Sequence, residues 1–429
     1  MPDTNEFGEG RLRGIVEQCL RLALGTEAPL PADDEDWVGG GALDSMAHVD
    51  VLLCIGKAIG LPDFPGRIEG RPPSSTKSVL HALRKVSPRI LEPLQAQGRE
   101  PAGSPAALAG VVGWGAAIGS VRVEAATVER EYSLPAGTLT KHAGIESVVR
   151  VSPQEDEVSL AFDACQTALR TATLDVGDVD WIVVTGETFF GFPSLGSLLH
   201  SRLLARDTCG VLDVGGACVG LLNGLCVGRS LLASGMAERV LIATSDVHSR
   251  HLTPGRVDGG FGGLFGDGSS AFVLNRIEET VKTPPYRLGH FQFGCAGTFS
   301  SALTVGLNSD GKLAVRFEGQ ALARAAVVRL ERILADLELR TGLSRGAASG
   351  FATHQPNARL VEVLARQAGL DLQKFPVVSK SYGNLGSSTC GVALAKVLDE
   401  HGHRPADKRG PIFLAAVGPG MLWGGGVLR

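Results

Sequence analysis

Residues 213–224, which read DVGGACVGLLNG, set the architecture of the rest of this chain. A β-branched run over 211–214 breaks into small residues and reopens as an apolar stretch with the composition of a buried helix. This pattern predicts that Cys218 lies where a strand turns into the first turn of a helix. The unpaired N–H groups and the dipole of a helix N-terminus stabilise a thiolate. We therefore expect Cys218 to be a nucleophile.

The same alternation of apolar strands and amphipathic helices continues on both sides of this segment. It predicts an α/β fold with a mostly parallel sheet covered on both faces. The predicted strands lie at 110–113, 181–185, 211–214, 239–243, 271–274 and 412–417. The predicted helices lie at 157–173, 194–205, 219–234, 319–342 and 357–368.

Composition narrows the class of protein. The 429 residues are 44% hydrophobic with 57 glycines and a net charge of −4, which argues against a nucleic-acid partner. No apolar run reaches the roughly 18 residues of a membrane span, and the polar, Gly-containing N-terminal stretch leads us to expect no signal peptide. We expect a cytoplasmic protein whose eight scattered cysteines are free thiols, those other than Cys218 being small core residues. No His/Cys spacing suggests a metal site.

The N-terminal part is a separate helical unit. Helices are predicted over 11–24, over 45–59 and from about residue 76. The following stretch, 88–108, is rich in Pro, Gly and Ala and has the composition of a linker. We therefore predict domains at 1–87 and 109–429.

A catalytic cysteine needs polar partners, and two lie downstream. They are His354 in THQPN and Asn384 in YGN. A thiolate can attack a thioester and hold the acyl group. A neutral imidazole and an amide can then donate hydrogen bonds to an oxygen, or the imidazole can deprotonate an incoming nucleophile. His248 is interpreted as a surface or loop residue, as are the two other histidines His142 and His251.

From about residue 109 onward the chain resembles the ketoacyl-acyl carrier protein synthase III family. The likeness rests on five motifs in order: DVGGACVG (213–220), GDGSSA (266–271), HQPN (354–357), YGN (382–384) and GPGMLWG (418–424). It implies a thiolase-like fold of five αβαβα layers. Cys218 would then carry the acyl group, and His354 and Asn384 would be paired donors.

The resemblance also assigns further binding residues. Asn357 and Arg359 stand where the family contacts coenzyme A or a carrier protein. Gly418 and Gly420 belong to the terminal glycine motif that lines the oxyanion site. Phe192, in GFP (191–193), resembles the residue that reaches into the partner subunit's acyl pocket, which implies a homodimer.

Two positions depart from the family pattern. Pro419 occupies the middle position of the terminal motif, where a glycine usually donates to the oxyanion, and proline has no N–H. Thr138 occupies the position at which the family often has a tryptophan that stacks on coenzyme A.

The N-terminal unit resembles an acyl carrier protein through LDSM, residues 43–46. The likeness implies that Ser45 carries a 4′-phosphopantetheine attached by a phosphopantetheinyl transferase. The alternative is that Ser45 is an ordinary helix N-cap.

Two reactions stay open. In the first, an acyl group moves from a carrier or coenzyme A thioester to Cys218. It is then attacked by the carbanion from a decarboxylating malonyl-type carrier thioester, in ping-pong order. A fused carrier would place this in polyketide or related secondary metabolism. In the second, the acyl group moves to an oxygen or nitrogen nucleophile without decarboxylation, with His354 as the base.

Overall fold

The structure is a computed structural model that describes residues 9–25, 29–58, 72–85, 108–277, 286–297, 300–307, 313–402, 404–405 and 408–429. It divides the chain into two compact units, Met1–Pro105 with Glu318–Arg329 and Ala106–Phe317 with Leu330–Arg429. The predicted linker lies outside the described residues except for Leu108, the first residue of the first strand.

The first unit contains three predicted helices, and the structure confirms them: α1 (Glu9–Leu24), α2 (Ser45–Ala58) and α3 (Thr76–Lys85). Their apolar faces meet in one small core. Its largest fully buried side chain is Trp37, from the loop between α1 and α2. The stability of this unit comes from burying these faces together, since helices this short are marginal alone.

One expectation about the cysteines is wrong in this unit. The structure joins Cys19 on α1 to Cys54 on α2 in a disulfide, with Cα atoms 5.8 Å apart. The two residues are 35 positions apart, and only the packing of α1 on α2 brings them within bonding reach. Within the described residues the remaining cysteines are free thiols.

The second unit contains the strands and the other helices, although the helix Gly319–Thr341 belongs to it only from Leu330 on. The strands are β1 (Leu108–Ile118), β2 (Val121–Glu124), β3 (Ser147–Arg150), β4 (Trp181–Thr185), β5 (Gly210–Asp213), β6 (Arg239–Val247), β7 (Asp267–Ile277), β8 (Tyr286–Cys295), β9 (Leu303–Leu307), β10 (Leu313–Phe317), β11 (Gly350–Thr353), β12 (Ile412–Gly418) and β13 (Leu422–Leu428). The helices are α4 (Ala125–Glu131), α5 (Glu157–Ala172), α6 (Leu195–Leu203), α7 (Gly220–Ala233), α8 (Gly259–Gly262), α9 (Gly319–Thr341), α10 (Ala358–Ala368), α11 (Ser379–Tyr382) and α12 (Ser388–His401). All the predicted strands and helices of this part of the chain are present.

The main sheet has nine strands in the order β11-β12-β13-β8-β1-β7-β6-β4-β5. Parallel pairing is confined to β11/β12, β4/β5 and β4/β6. The other five pairs are antiparallel. The expectation of a mostly parallel sheet is therefore wrong. A strand buried on both faces is apolar throughout whichever way it runs, so its direction leaves no mark on the local pattern.

The sheet is built from two similar halves. One half has the order β5-β4-β6-β7-β1 and the other β11-β12-β13-β8. In each, the first strand along the chain lies beside the last, and that last strand, β7 or β13, is antiparallel to both neighbours. The second half thus repeats the first without an outermost strand among the described residues.

Helices α7 and α12 form the middle layer, since each contacts strands of both halves. Their close approach is encoded by small residues. Glycines recur every four residues along α7, and a Cβ at Gly228 would lie 2.8 Å from Ile242 Cδ1 on β6. Helix α5 packs on the outer face of the first half and α9, from Leu330 on, on that of the second. These five layers agree with the expected αβαβα arrangement.

Candidate active site

Cys218 lies on a tight turn between β5 and α7. Gly216 has φ +137° and Ala217 has φ +45°, and a short 3-10 turn over Ala217–Val219 leads into the helix at Gly220. A left-handed conformation at an alanine is unfavourable by about 1 kcal/mol or more. The surrounding structure therefore holds the chain in this turn, and the turn places Cys218 just ahead of the helix.

The Cys218 thiol is buried, with 8% of the residue exposed. Burial is the main cause that raises its pKa well above the ordinary value, and the negative charges of Glu187 and Asp246 raise it further. A hydrogen bond from its own backbone N–H acts in the opposite direction but does not offset these effects. The predicted stabilised thiolate is therefore wrong: the resting group is a protonated thiol.

Glu187, from the loop after β4, links the thiol to a histidine. Its Oε2 lies 3.8 Å from the Cys218 Sγ, within reach of an S–H donor. Its Oε1 lies 2.9 Å from the Nε2 of His248. Burial raises the pKa of Glu187, but the hydrogen bond and charge of His248 outweigh this and hold it below the ordinary value. The carboxylate is therefore ionised near neutral pH.

His248, interpreted from the sequence as a surface or loop residue, is only 4% exposed. It follows β6 directly, at the edge of the sheet where Glu187 follows β4. Burial lowers its pKa, yet the hydrogen bond to Glu187 and the charges of Glu187, Asp246 and Asp267 raise it to about 9. The surface interpretation is therefore wrong, because tertiary packing buries the ring beside Glu187.

The loop before α12 closes over this pair. Ser387 donates from both its backbone N–H and its hydroxyl to Asp246, at 2.9 and 2.5 Å. Asp246 is fully buried, and burial together with the charge of Glu187 raises its pKa to about 7. Gly386 has φ +59°, and a Cβ there would lie 2.6 Å from both Glu187 Oε1 and His248 Cε1. The close fit requires a glycine.

Asn384 stands at the start of the same loop. Its backbone N–H donates to the Leu264 carbonyl, and its own carbonyl accepts from Gly266 N–H, at 2.8 and 2.9 Å. Its side-chain Oδ1 accepts from Gly386 N–H and from the Thr389 hydroxyl. The side-chain oxygen therefore caps a turn, and the amide nitrogen is left as the group able to donate.

His354 follows β11 and is 2% exposed. Its backbone N–H donates to the Ala415 carbonyl on β12 at 2.9 Å, which fixes its position beside the sheet. Burial lowers its pKa to about 4, and it interacts electrostatically with Glu187 and His248. The ring is therefore neutral at physiological pH. Its Nδ1 is buried and has no hydrogen-bond partner among the described residues.

Gly418 brings the terminal motif against Cys218. A Cβ on Gly418 would lie 3.4 Å from both the N and the Cβ of Cys218. Pro419 opens a short 3-10 turn, and Gly420 within it has φ +115°. The Gly420 carbonyl accepts from the Cys295 thiol at 3.5 Å. The residue directly after the contact with Cys218 is therefore the proline, which has no N–H to offer.

The residues assigned to donor binding lie side by side. Asn357 caps α10, its Oδ1 accepting from Leu360 N–H at 2.8 Å. Arg359 forms an ion pair with Glu362 at 3.0 Å and is partly exposed. Gly144, which ends the helical turn beginning at Thr138, packs on the backbone of this helix start. Phe192 lies elsewhere, 97% exposed in the loop after β4.

In the first unit, the structure settles one alternative for Ser45. The carboxylate of Asp44 accepts hydrogen bonds from the N–H groups of Met46 and Ala47, at 3.0 and 2.7 Å. Asp44 is therefore the N-cap of α2, and Ser45 is its first residue. The interpretation of Ser45 as the N-cap is wrong.

Glu187, Asp246 and His248 were absent from the predicted site, although a signal for them exists. Each lies at or after the carboxyl end of a predicted strand, and β4 and β6 are parallel neighbours. Polar residues at such strand ends meet at one edge of a sheet. Recognising that the runs at 181–185 and 239–243 are adjacent would have brought the three side chains together.

Two further observations concern the described residues alone. No group of three or more His, Cys, Asp or Glu side chains among them is arranged to hold a metal ion. Nor does this part of the chain contain a helix long and apolar enough to span a membrane.

The sequence and the structure of this chain are similar to those of known proteins. The 3-oxoacyl-[acyl-carrier-protein] synthase III family model matches residues 212–297, and the model of its C-terminal part matches 340–429. The β-ketoacyl-[acyl-carrier-protein] synthase III of Methylococcus capsulatus is 29% identical over 68% of this chain and 89% of its own. The enzyme of the same name from Ruegeria sp. is 28% identical over 74% and 98%. The crystal structure of the Aquifex aeolicus 3-oxoacyl-[acyl-carrier-protein] synthase III superposes with a TM-score of 0.65 at 25% identity, covering 75% of this chain and 99% of that one.

Proposed function

We propose, from the premise that the chain belongs to the 3-oxoacyl-[acyl-carrier-protein] synthase III family, that it transfers acyl groups in ping-pong order through a thioester on Cys218. The acceptor in the leading form of the proposal is a malonyl-type carrier thioester, joined by decarboxylative Claisen condensation. The observation that carries the proposal is the setting of Cys218, which lies against Gly418 and beside Glu187, a carboxylate that interacts in turn with the buried neutral ring of His354.

The first half-reaction uses the turn at Cys218. The thiol attacks the carbonyl carbon of an acyl thioester, and the donor thiol leaves. The Cys218 backbone N–H lies against its own sulfur and is a donor for the oxygen that becomes negative. Gly418, with no side chain, leaves room for that oxygen beside the nucleophile.

The second half-reaction needs two donors on a thioester oxygen. A buried ring nitrogen tolerates a lone pair without a partner better than an N–H without one, so we place the His354 proton on Nε2. The side-chain oxygen of Asn384 is occupied, so its NH2 group is the second donor. Together they would stabilise the enolate left when a malonyl group loses carbon dioxide.

The second candidate is acyl transfer to an oxygen or nitrogen nucleophile. Two observations favour it. Pro419 withholds one backbone donor from the site, and losing such a donor is typically worth about 3 kcal/mol in the transition state. Glu187 adds a carboxylate 3.8 Å from the thiol, where it is able to accept a proton from a hydroxyl or an amine.

The first unit is proposed to be an acyl carrier domain that presents thioesters to this site. Ser45 at the start of α2, directly after the capping Asp44, would carry the 4′-phosphopantetheine arm added by a phosphopantetheinyl transferase. Tethering raises the effective concentration of the carrier at the site. A fused carrier is typical of secondary metabolism, including polyketide synthesis, and cytoplasmic location stays a prediction.

The donor side and the quaternary structure complete the proposal. Asn357 and Arg359, which lie beside the 138–144 turn, are proposed to contact the carrier or coenzyme A arm. Phe192, with 97% of its surface exposed, is proposed to be covered by a second copy of this chain, so that the enzyme is a homodimer.

The test measures the mass of the intact protein after incubation with an acyl donor, and the release of carbon dioxide from a malonyl carrier. Incubation with a short-chain acyl-coenzyme A should add one acyl group to the intact protein, and Cys218→Ser should not retain it as a thioester. Cys390→Ser, which removes a buried thiol hydrogen-bonded to the Ala352 carbonyl, is the matched control and should label normally. Release of carbon dioxide from a malonyl carrier identifies condensation. Ester or amide formation without release identifies the second candidate, and labelling of the Cys218→Ser protein equal to wild type would sink both.

A further inference from the structure

Glu187 and His248 form a second polar pair beside the nucleophile that the family motifs do not contain. The carboxylate lies between the two groups, with Oε2 facing the Cys218 Sγ at 3.8 Å and Oε1 facing His248 Nε2 at 2.9 Å. About 20% of the Glu187 side chain is exposed and 5% of that of His248. Within the described residues, the carboxylate is therefore the more accessible member of the pair.

The hydrogen bonds define the protonation state of His248. Its Nδ1 lies 3.0 Å from the Gly266 carbonyl, which only accepts, and its Nε2 faces a carboxylate, which also accepts when ionised. Because the pKa of Glu187 is held below its ordinary value, the carboxylate is ionised, and both ring nitrogens then carry protons. His248 is an imidazolium, and it keeps the neighbouring Glu187 carboxylate ionised within the protein.

The pair is held by groups on several elements. Asp246, at the end of β6, accepts the backbone N–H of Glu187 at 2.6 Å and both donors of Ser387. The other titratable groups that act on the pair are His354 and Asp267. Gly386 closes the remaining space. These contacts fix the free Glu187 oxygen toward the sulfur.

The protonated thiol of Cys218 needs a nearby group that can accept its proton. Burial raises the pKa of Cys218 well above its ordinary value, and the Glu187 charge raises it further, so few molecules ionise spontaneously near neutral pH. A buried thiol of this kind reacts only if its proton leaves as the sulfur attacks. The Glu187 carboxylate is the acceptor within reach.

We propose that Glu187 is a further catalytic residue, the base that accepts the Cys218 proton during acylation, and that His248 is the positioning residue that keeps it ionised. The inference rests on the proposed function, in which Cys218 takes the acyl group. As Sγ bonds to the thioester carbonyl, the S–H proton moves to Glu187 Oε2. The donor carbon–sulfur bond then breaks, and the departing thiolate takes that proton, which regenerates the carboxylate.

The test is the pH profile of acyl-enzyme formation, followed by rapid quench and intact mass with a short-chain acyl-coenzyme A. With Glu187 ionised across the range, the wild-type rate should be nearly flat from about pH 6 to about pH 8.5. Glu187→Gln keeps the shape of the side chain. It should slow acylation by about 10²-fold or more near pH 7, and its rate should rise about tenfold per pH unit as solvent base replaces the carboxylate.

Two variants separate catalysis from structure. Glu187→Asp retains the carboxylate on a shorter arm and should restore the flat profile at a reduced rate. Asp180→Asn removes a carboxylate that lies just before β4, at the opposite end of that strand from Glu187, and accepts from the backbone N–H groups of Glu238 and Arg239; it should leave the profile unchanged.

The outcomes are distinct. No acyl-Cys218 in the wild-type protein overturns the proposed function. An acyl-enzyme that forms in Glu187→Gln at the wild-type rate with the wild-type profile overturns the role of Glu187 alone. A slower Glu187→Gln whose profile stays flat assigns Glu187 a structural role and also overturns the proposal.

Discussion

Gly386 lies so close to Glu187 that a Cβ at this position would stand 2.6 Å from the carboxylate Oε1, and equally close to Cε1 of His248. The loop before α12 thus presses its backbone directly onto the Glu187–His248 pair. The positive φ of Gly386 also disfavours any residue with a side chain. Steric overlap and backbone strain therefore both act against substitution of this glycine.

Gly386→Ala should therefore displace the Glu187–His248 pair. We expect a loss of stability of about 1–3 kcal/mol, since overpacking and a left-handed backbone both contribute, together with slower acylation of Cys218. Urea unfolding and intact-mass kinetics measure the two effects. Gly369→Ala is the matched control: its φ is +65° with nothing within 4 Å of a Cβ, so it carries the backbone cost alone. Equal acylation rates in the two variants would contradict the predicted displacement.

His354 should make the protein sensitive to acid. Its pKa is about 4 in the folded protein against about 6.5 unfolded, so below about pH 6.5 the unfolded chain binds the proton more readily. Stability is therefore lost as the pH falls from about 6.5 toward about 4. The loss attributable to this ring is at most about 3 kcal/mol.

The measurement compares urea unfolding of wild type and His354→Gln at about pH 7 and about pH 4.5. The wild type should lose about 2–3 kcal/mol more than the variant between the two conditions. His142→Gln alters an exposed histidine and should track the wild type. If the His354→Gln protein loses as much as the wild type, the ring is not the source of the acid sensitivity.

The position of Cys218 between a strand and a helix was predictable because its signals are local. The strand-to-helix break before Cys218 and the four-residue spacing of glycines in α7 both lie within one short segment. Pairing that depends on tertiary packing was not predictable. The antiparallel direction of β7, the disulfide between α1 and α2, and the place of His248 beside Glu187 each join segments that share no local pattern.

The thiol illustrates the same limit in energetic terms. A helix start predicts a lowered pKa, since its N–H groups favour negative charge. The structure buries Cys218 and sets the Glu187 carboxylate beside it, and these two effects raise the pKa of the thiol well above its ordinary value despite a hydrogen bond from its own backbone N–H. Local geometry supplied the position of the sulfur, whereas its ionisation depends on a residue 31 positions earlier in the chain.

Ser45 should carry a covalent arm. Treatment with a phosphopantetheinyl transferase and coenzyme A should add about 340 Da to the intact protein, a mass set by the cofactor. Ser45→Ala should gain nothing, because the hydroxyl is the attachment point. Ser78→Ala removes a hydroxyl that bonds to Ser75 at the start of α3, and it should be modified normally. Addition of the same mass to the Ser45→Ala protein would show that the arm is attached to another residue.

Pro419 should slow acyl transfer because it has no backbone N–H to donate to the acyl oxygen. It directly follows Gly418, whose position beside Cys218 marks where the acyl oxygen is expected, and Pro419→Ala restores a backbone N–H at that point. Oxyanion donors are typically worth about 10²-fold or more in rate. We expect Pro419→Ala to raise the rate of acyl transfer by about tenfold, allowing for the rigidity lost with the ring.

The matched control is Pro411→Ala, which makes the same change just before the opposite end of β12 and should leave the rate unchanged. Stopped-flow measurement of acylation, together with steady-state turnover with a malonyl carrier and with hydroxyl or amine acceptors, separates the half-reactions. A gain confined to carbon dioxide release would indicate that the proline restrains condensation. Rates equal to wild type in every assay would mean that another N–H already fills the oxyanion site, and the missing donor at Pro419 would then carry no catalytic cost.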